Sequence, residues 1–207
     1  MSCSKHNISI EDICKNKHDY DSKNDEICKN IIYTLLDIIK KTDNVKKINT
    51  NLLKLTRTKS GMLRKTDIIH VYRKLIHSGE LKKNDTLWSI LQKCKARNIS
   101  GLSVVTLLLA PFPDGQLFSC KHNCYYCPDE SVKNGADYDM PRSYLMREPA
   151  VQRGFRNGWD AVNQMLDRLD SLYKCGHEVD KLEIILDGGT YTEYPVEYLE
   201  RFHRDIF

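Results

Sequence analysis

The sequence predicts an α/β protein in two parts, a basic helical N-terminal region followed by the first β/α units of a barrel-type fold. Three observations predict it. Apolar residues recur at three- and four-residue steps within the first hundred residues, the period of amphipathic helices. Gly101-Leu-Ser-Val-Val-Thr-Leu-Leu-Leu-Ala110 is β-branched at its start and almost wholly apolar, as a strand buried on both faces reads. A cysteine-rich loop follows that strand, and chemistry past the C-terminal end of a strand is the usual placement in barrel-type α/β folds. The parts expected are a flexible arm over 1–24, a basic helical region over 25–98 and the α/β part over 99–207.

Asp25 to Lys41 carries Ile27, Ile31, Ile32, Leu35, Ile38 and Ile39 as one stripe, with Lys40 and Lys41 suiting the negative helix end. Lys46 to Lys65 mixes Asn, Thr, Lys and Arg, and Ser60-Gly61 marks a break. Thr66 reads as an N-cap for a helix through Ile68, Ile69, Tyr72, Leu75 and Ile76, stopped by Gly79. Asn84-Asp85-Thr86 opens a short helix through Leu87, Trp88, Leu91 and Cys94. Beyond the first strand, Asp129 to Met140 is a polar loop and Pro149 suits the first position of a helix. Asp160 to Lys174 is a longer helix with Val162, Met165, Leu166, Leu169 and Leu172 inward, ended by Gly176. Lys181 to Leu186 is the second strand, and Pro195 starts a last helix through Phe202.

Net charge is +4, and its distribution is informative. Residues 1–100 carry 21 basic and 11 acidic side chains, whereas residues 101–207 carry 11 and 17. From Asn51 to Ser100 the ratio is 12 to 3. A polyanion-binding segment has this asymmetry; a merely solvated basic surface is the plainer alternative. The longest apolar run is too short to span a bilayer, so no membrane partner is expected. Eight scattered cysteines and a polar N-terminus point to a reducing, cytoplasmic compartment rather than a disulfide framework. Cys94 and Cys175 read as small buried residues.

Cys120-Lys121-His122-Asn123-Cys124-Tyr125-Tyr126-Cys127 places three thiols in eight positions. Thiolates suit zinc, copper(I) or iron–sulfur clusters. Half a zinc knuckle completed by His122 or Cys175 is one alternative. A [4Fe–4S] cluster on three thiolates is another, and it leaves one iron open to a small chelating molecule. Gly188-Gly189-Thr190 ends the second strand, and its missing Cβ atoms allow backbone to approach a ligand closely.

The C-x3-C-x2-C spacing with Tyr126 before the last cysteine resembles the cluster loop of radical S-adenosylmethionine (SAM) enzymes. Arg97-Asn98-Ile99-Ser100-Gly101, Cys124-Tyr125-Tyr126-Cys127-Pro128, Ser143-Tyr144-Leu145, Glu148-Pro149-Ala150 and Gly188-Gly189-Thr190 with Tyr194-Pro195 together resemble the catalytic subunit of Elongator. That family resemblance implies the first units of a partial TIM-like radical SAM barrel, truncated after two strands. It implies cluster ligands at Cys120, Cys124 and Cys127, and SAM contacts at Gly188, Gly189 and Thr190, while Tyr126 is expected to bind by packing around the cofactor. It implies acetyl-CoA as donor for a carboxymethyl-type group at C5 of the tRNA wobble uridine. It also implies tRNA contact by the basic region, with Lys93, Lys95 and Arg97 as leading candidates. No protein side chain is assigned as catalytic, because the cofactor carries the chemistry. A chain with two strands and no acetyltransferase domain is expected to be inactive alone, and a separate chain could supply the rest. The second reading is a non-catalytic module that binds tRNA or a partner and holds a structural metal.

Overall fold

The structure, a computed structural model, describes residues 24–58, 61–114, 116, 120–122, 124–136, 139–140 and 143–207, with Asn98 described by its backbone alone. The arm expected over 1–24 lies outside the described residues except for its last one. The chain packs as two compact units. One runs to Ser103 and takes in Asp170–Lys181; the other is Val104–Leu169 with Leu182–Phe207.

In the first unit, helix α1 spans Asp25–Lys41, with acids in its first turn and lysines in its last. Its buried residues are Cys28, Ile31, Ile32 and Leu35. Cys28 thus takes the inner position expected of Ile27, which is exposed. Helix α2, Val45–Leu55, forms in a stretch that reads as a polar mixture. The Asn44 side chain accepts a 3.1 Å hydrogen bond from the Lys47 N–H, and Ile48 and Leu52 pack inward four residues apart. Strands β1, Arg57–Thr58, and β2, Gly61–Met62, pair antiparallel with Arg57 opposite Met62.

Helix α3 spans Lys65–His77, so Thr66 lies inside it rather than capping it. The cap position is Arg64, whose guanidinium bonds the Asp67 carboxylate at 3.2 Å and draws that acid against the N-terminal turn. Gly79 follows the helix with φ of 76°, the left-handed stop expected of it. Helix α4, Asp85–Leu91, opens on Asn84, whose side chain accepts from the Leu87 N–H at 2.9 Å. It ends before Cys94, which is exposed at φ of 51°; Cys175 is only half-buried, so neither is the buried filler expected. Ile32, Leu35, Ile48, Leu52, Ile68, Tyr72, Leu87 and Leu91 are almost fully buried in one core. Each such aliphatic side chain contributes roughly 1.5–3 kcal/mol by leaving water. Arg73 holds the returning segment, with its guanidinium 3.8 Å from the Tyr173 ring centroid and 3.4 Å from the carbonyl oxygens of Tyr173 and His177.

From Ser103 on, the chain follows β–α–β order. Strand β3 is Ser103–Leu108, helix α5 Pro149–Arg156, helix α6 Ala161–Lys174, strand β4 Leu182–Asp187 and helix α7 Val196–Ile206. Pro149 occupies the start of α5, where its missing N–H costs nothing. The Ser103 N–H donates to the Lys181 carbonyl and the Leu109 N–H to the Asp187 carbonyl, each at 2.9 Å. Both partners advance by six residues, so the strands are parallel.

β3 is not buried on both faces as expected. Val104 is exposed and Thr106 half-buried, while Val105, Leu107 and Leu108 are buried. Side chains satisfy four polar backbone groups on the outer side of the strand and just past its end. Arg153 donates to the Thr106 carbonyl at 2.7 Å. Gln164 accepts from the Leu108 N–H at 3.0 Å and donates to the Leu108 carbonyl at 2.9 Å. The Tyr198 hydroxyl accepts from the Ala110 N–H at 2.9 Å. This explains a second departure: Gln164 is fully buried on the inner side of α6, and Val162, expected inward, is exposed. An amide reaching a strand edge outranks an apolar contact there, because unpaired backbone groups are costly.

Gln164→Leu should lower the unfolding free energy by about 1–3 kcal/mol for each Leu108 group left unpartnered, which urea unfolding will measure. A second expectation concerns pH. Burial, with the Asp67 and Asp25 carboxylates adding to it, pushes the Cys28 thiol from 9.0 up to about 11. The folded state therefore holds that proton more tightly than the unfolded chain, so its stabilisation is full below pH 9 and lost as pH rises toward 11. Cys28→Ala, although less stable throughout, should show a flatter decline across that window in thermal unfolding.

Candidate metal and cofactor centre

The parallel register brings the exits of β3 and β4 to the same end of the pair. Cys120 is buried on the loop after β3, and its sulfur lies 3.4 Å from the Thr190 hydroxyl on the turn after β4. Burial raises the Cys120 thiol, but hydrogen bonds from the Thr190 hydroxyl and from the His122 and Thr190 backbone outweigh it, and the net direction is down. A thiol held toward its thiolate form is a better ligand and nucleophile.

Cys124 and Cys127 are half-buried and share a turn closed by the Cys127 N–H donating to the Cys124 carbonyl at 3.2 Å. Tyr125 and Tyr126 project from it at 106% and 85% exposure. Charge on Cys124 and Cys127, a hydrogen bond to the Cys124 sulfur and charge on Cys120 all push the Tyr126 phenol up. One phenol thus senses all three sulfurs. Among the described residues, no three His, Cys, Asp or Glu side chains converge on one point that could hold a metal ion. The donor set itself is soft and suits zinc, copper(I) or an iron–sulfur cluster rather than a hard cation.

Gly188, Gly189 and Thr190 form the facing turn. A Cβ on Gly188 would come 2.9 Å from the Tyr194 hydroxyl and 3.0 Å from a Leu109 methyl. The protein's own packing therefore demands glycine there, in addition to any ligand. The Gly188 N–H donates to the Asp187 carboxylate at 2.9 Å and the Gly189 N–H to the Tyr194 hydroxyl at 3.3 Å. With both donors engaged internally, the carbonyl oxygens are the groups suited to a ligand, and acceptors suit an amino group. The Asp187 carbonyl accepts from Leu109 and from the Tyr144 hydroxyl, and Tyr144 stacks on Trp159 with centroids 6.1 Å apart.

The turn Tyr191–Glu193 completes the site. Glu193 accepts from Lys121 at 2.9 Å and lies 3.6 Å from His122 Nε2. Lys121 holds the Glu193 carboxyl below its usual range. The sequence offered no signal for Glu193, a lone acid in a polar turn.

Lys93, Lys95 and Arg97 are exposed in the other unit, between α4 and β3, with Lys95 and Arg97 on the 3₁₀ turn Lys95–Asn98. Lys95 donates to the Ser89 hydroxyl at 2.6 Å. Burial and then the charges of Lys93 and Lys95 push the Lys65 ammonium down, so these cations crowd together. Such crowding is relieved by a bound polyanion. Among the described residues, no helix is long and apolar enough to cross a membrane.

No family model matches the chain. It is 32% identical over 150 residues to a tRNA uridine(34) acetyltransferase of Methanocaldococcus infernus, a match covering 67% of this chain and 26% of the relative. It is 31% identical over 176 residues to the Elongator complex protein 3 of Schizosaccharomyces pombe, covering 80% of this chain and 30% of the relative. A tRNA uridine(34) acetyltransferase of Methanocaldococcus jannaschii is 36% identical over 114 residues, 55% of this chain and 20% of the relative. The chain thus spans less than a third of the length of these relatives.

Gly188→Ala should lower stability by about 1–3 kcal/mol through overpacking against Tyr194 and Leu109, and Gly188→Ala combined with Tyr194→Phe should recover part of it. Denaturant unfolding of the three proteins will test this.

Proposed function

The chain is a homologue of the Elongator complex protein 3 and tRNA uridine(34) acetyltransferase family, and on that premise we propose that it supplies the cluster- and SAM-binding part of a tRNA-modifying radical SAM enzyme. The observation that carries the reading is the meeting of Cys120 and Thr190, seventy residues apart, at 3.4 Å where both strands end. Strands β3 and β4 would then be the first two of a TIM-like barrel, with the chemistry at their C-terminal ends.

Cys120, Cys124 and Cys127 would hold a [4Fe–4S] cluster. The carbonyl oxygens of Gly188 and Gly189, with Thr190, would hold the amino group of SAM, and Tyr126 would shield the cluster edge. When bound, this pair of cofactors supplies one-electron cleavage of a sulfonium and so a carbon radical. Every other task falls to the protein: fixing the thiols, orienting SAM and excluding water. Lys93, Lys95 and Arg97 would contact tRNA phosphates, which give affinity without sequence reading. The reaction proposed is carboxymethylation at C5 of the wobble uridine with acetyl-CoA as donor, in the reducing cytoplasm. It is proposed for an assembly that includes counterparts of the relatives' remaining length, on one continuous chain or on a separate one.

Anaerobic reconstitution with iron and sulfide tests the reading. Expected are about four irons per chain and an EPR signal that shifts on SAM addition. Cys124→Ala should abolish both. A protein that takes up zinc alone, or a cluster blind to SAM, refutes it.

A further inference from the structure

Three consecutive residues of the cysteine loop are gripped by one short turn. The Cys120 sulfur meets Thr190, Lys121 pairs with Glu193, and His122 Nε2 faces the other oxygen of the same carboxylate. The turn is itself closed by the Glu193 N–H donating to the Thr190 carbonyl at 2.9 Å. Thr190 and Glu193 are therefore fixed relative to one another, and both face one tripeptide. By contrast, the Cys124–Cys127 turn presents its tyrosines to solvent.

We infer that Glu193 is a positioning residue that clamps the Cys120 segment onto the turn ending β4, setting one thiol before any cluster binds. The consequence for SAM rests on the function proposed above; the clamp itself does not. The Lys121 ammonium and the His122 imidazole face the two oxygens of one carboxylate, so the loop is engaged at two successive residues, which restricts rotation of the segment as a single contact cannot. Glu193 touches no reacting atom in this scheme and acts through Cys120.

The test uses the full chain without metal, under reducing anaerobic conditions. Iodoacetamide alkylation at Cys120 is followed by mass spectrometry, with buried Cys28 as the internal reference for global unfolding. Glu193→Gln and Glu193→Ala should each speed Cys120 alkylation roughly threefold, the range that partly exposed ion pairs reach, with the Cys28 rate unchanged. The exchange Glu193→Lys with Lys121→Glu should return the rate toward that of the unaltered protein. Reconstituted Glu193→Gln should retain iron yet show weaker SAM binding in an EPR titration. Unchanged alkylation in both single variants, or a charge exchange that restores nothing, overturns the clamp. Should the unaltered protein bind no iron, the cofactor reading fails while the alkylation result still decides the clamp.

Discussion

The hydrogen bond from the Leu109 N–H to the Asp187 carbonyl sets the register on which the site depends. A slip of one residue along this pair would reverse the faces of the side chains on one strand. It would also separate the cysteine loop from the Gly-Gly turn, because each leaves its strand just beyond that bond. The same carbonyl accepts from Tyr144, so the final strand pairing is shared with the segment leading into α5. The site is therefore built where backbone pairing ends and loops begin, which is where α/β folds leave polar groups for ligands.

Helix side chains act as a strand substitute on the other side of β3. Gln164 offers its amide as a peptide group would, taking one donor and one acceptor from Leu108. Arg153 and Tyr198 serve the same line of backbone at Thr106 and Ala110. A polar residue at the inner surface of α6 is thus an architectural part of the sheet. β4 alternates between half-buried and exposed residues, with Ile185 on the open side, so the two strands solve their edges differently.

The long helices were legible because burial follows a simple period: α1 has the bounds that its isoleucines and terminal charges set out. α2 was not legible, since Asn and Thr dilute its stripe and its start rests on an Asn44 side-chain bond. The cysteine loop and Gly-Gly turn were visible as motifs, but their approach to one another is a tertiary fact that spacing does not encode. Thr66 and Val162 were misplaced for related reasons, as interactions with Asp67 and with the Leu108 backbone outweighed cap preference and apolar patterning. The sequence offers Gly188 as room for a ligand, and the structure adds that a tyrosine hydroxyl already fills part of that room.

The two tryptophans fall one to each compact unit, Trp88 beside Arg73 and Trp159 stacked on Tyr144. Their indoles stand in unlike surroundings, one against a guanidinium and one against a phenol tied to the Gly-Gly turn. Replacing either with phenylalanine leaves a chain whose ultraviolet emission comes from a single known place. Melting curves of the two single-indole chains would then show whether the halves of this molecule come apart together or in sequence.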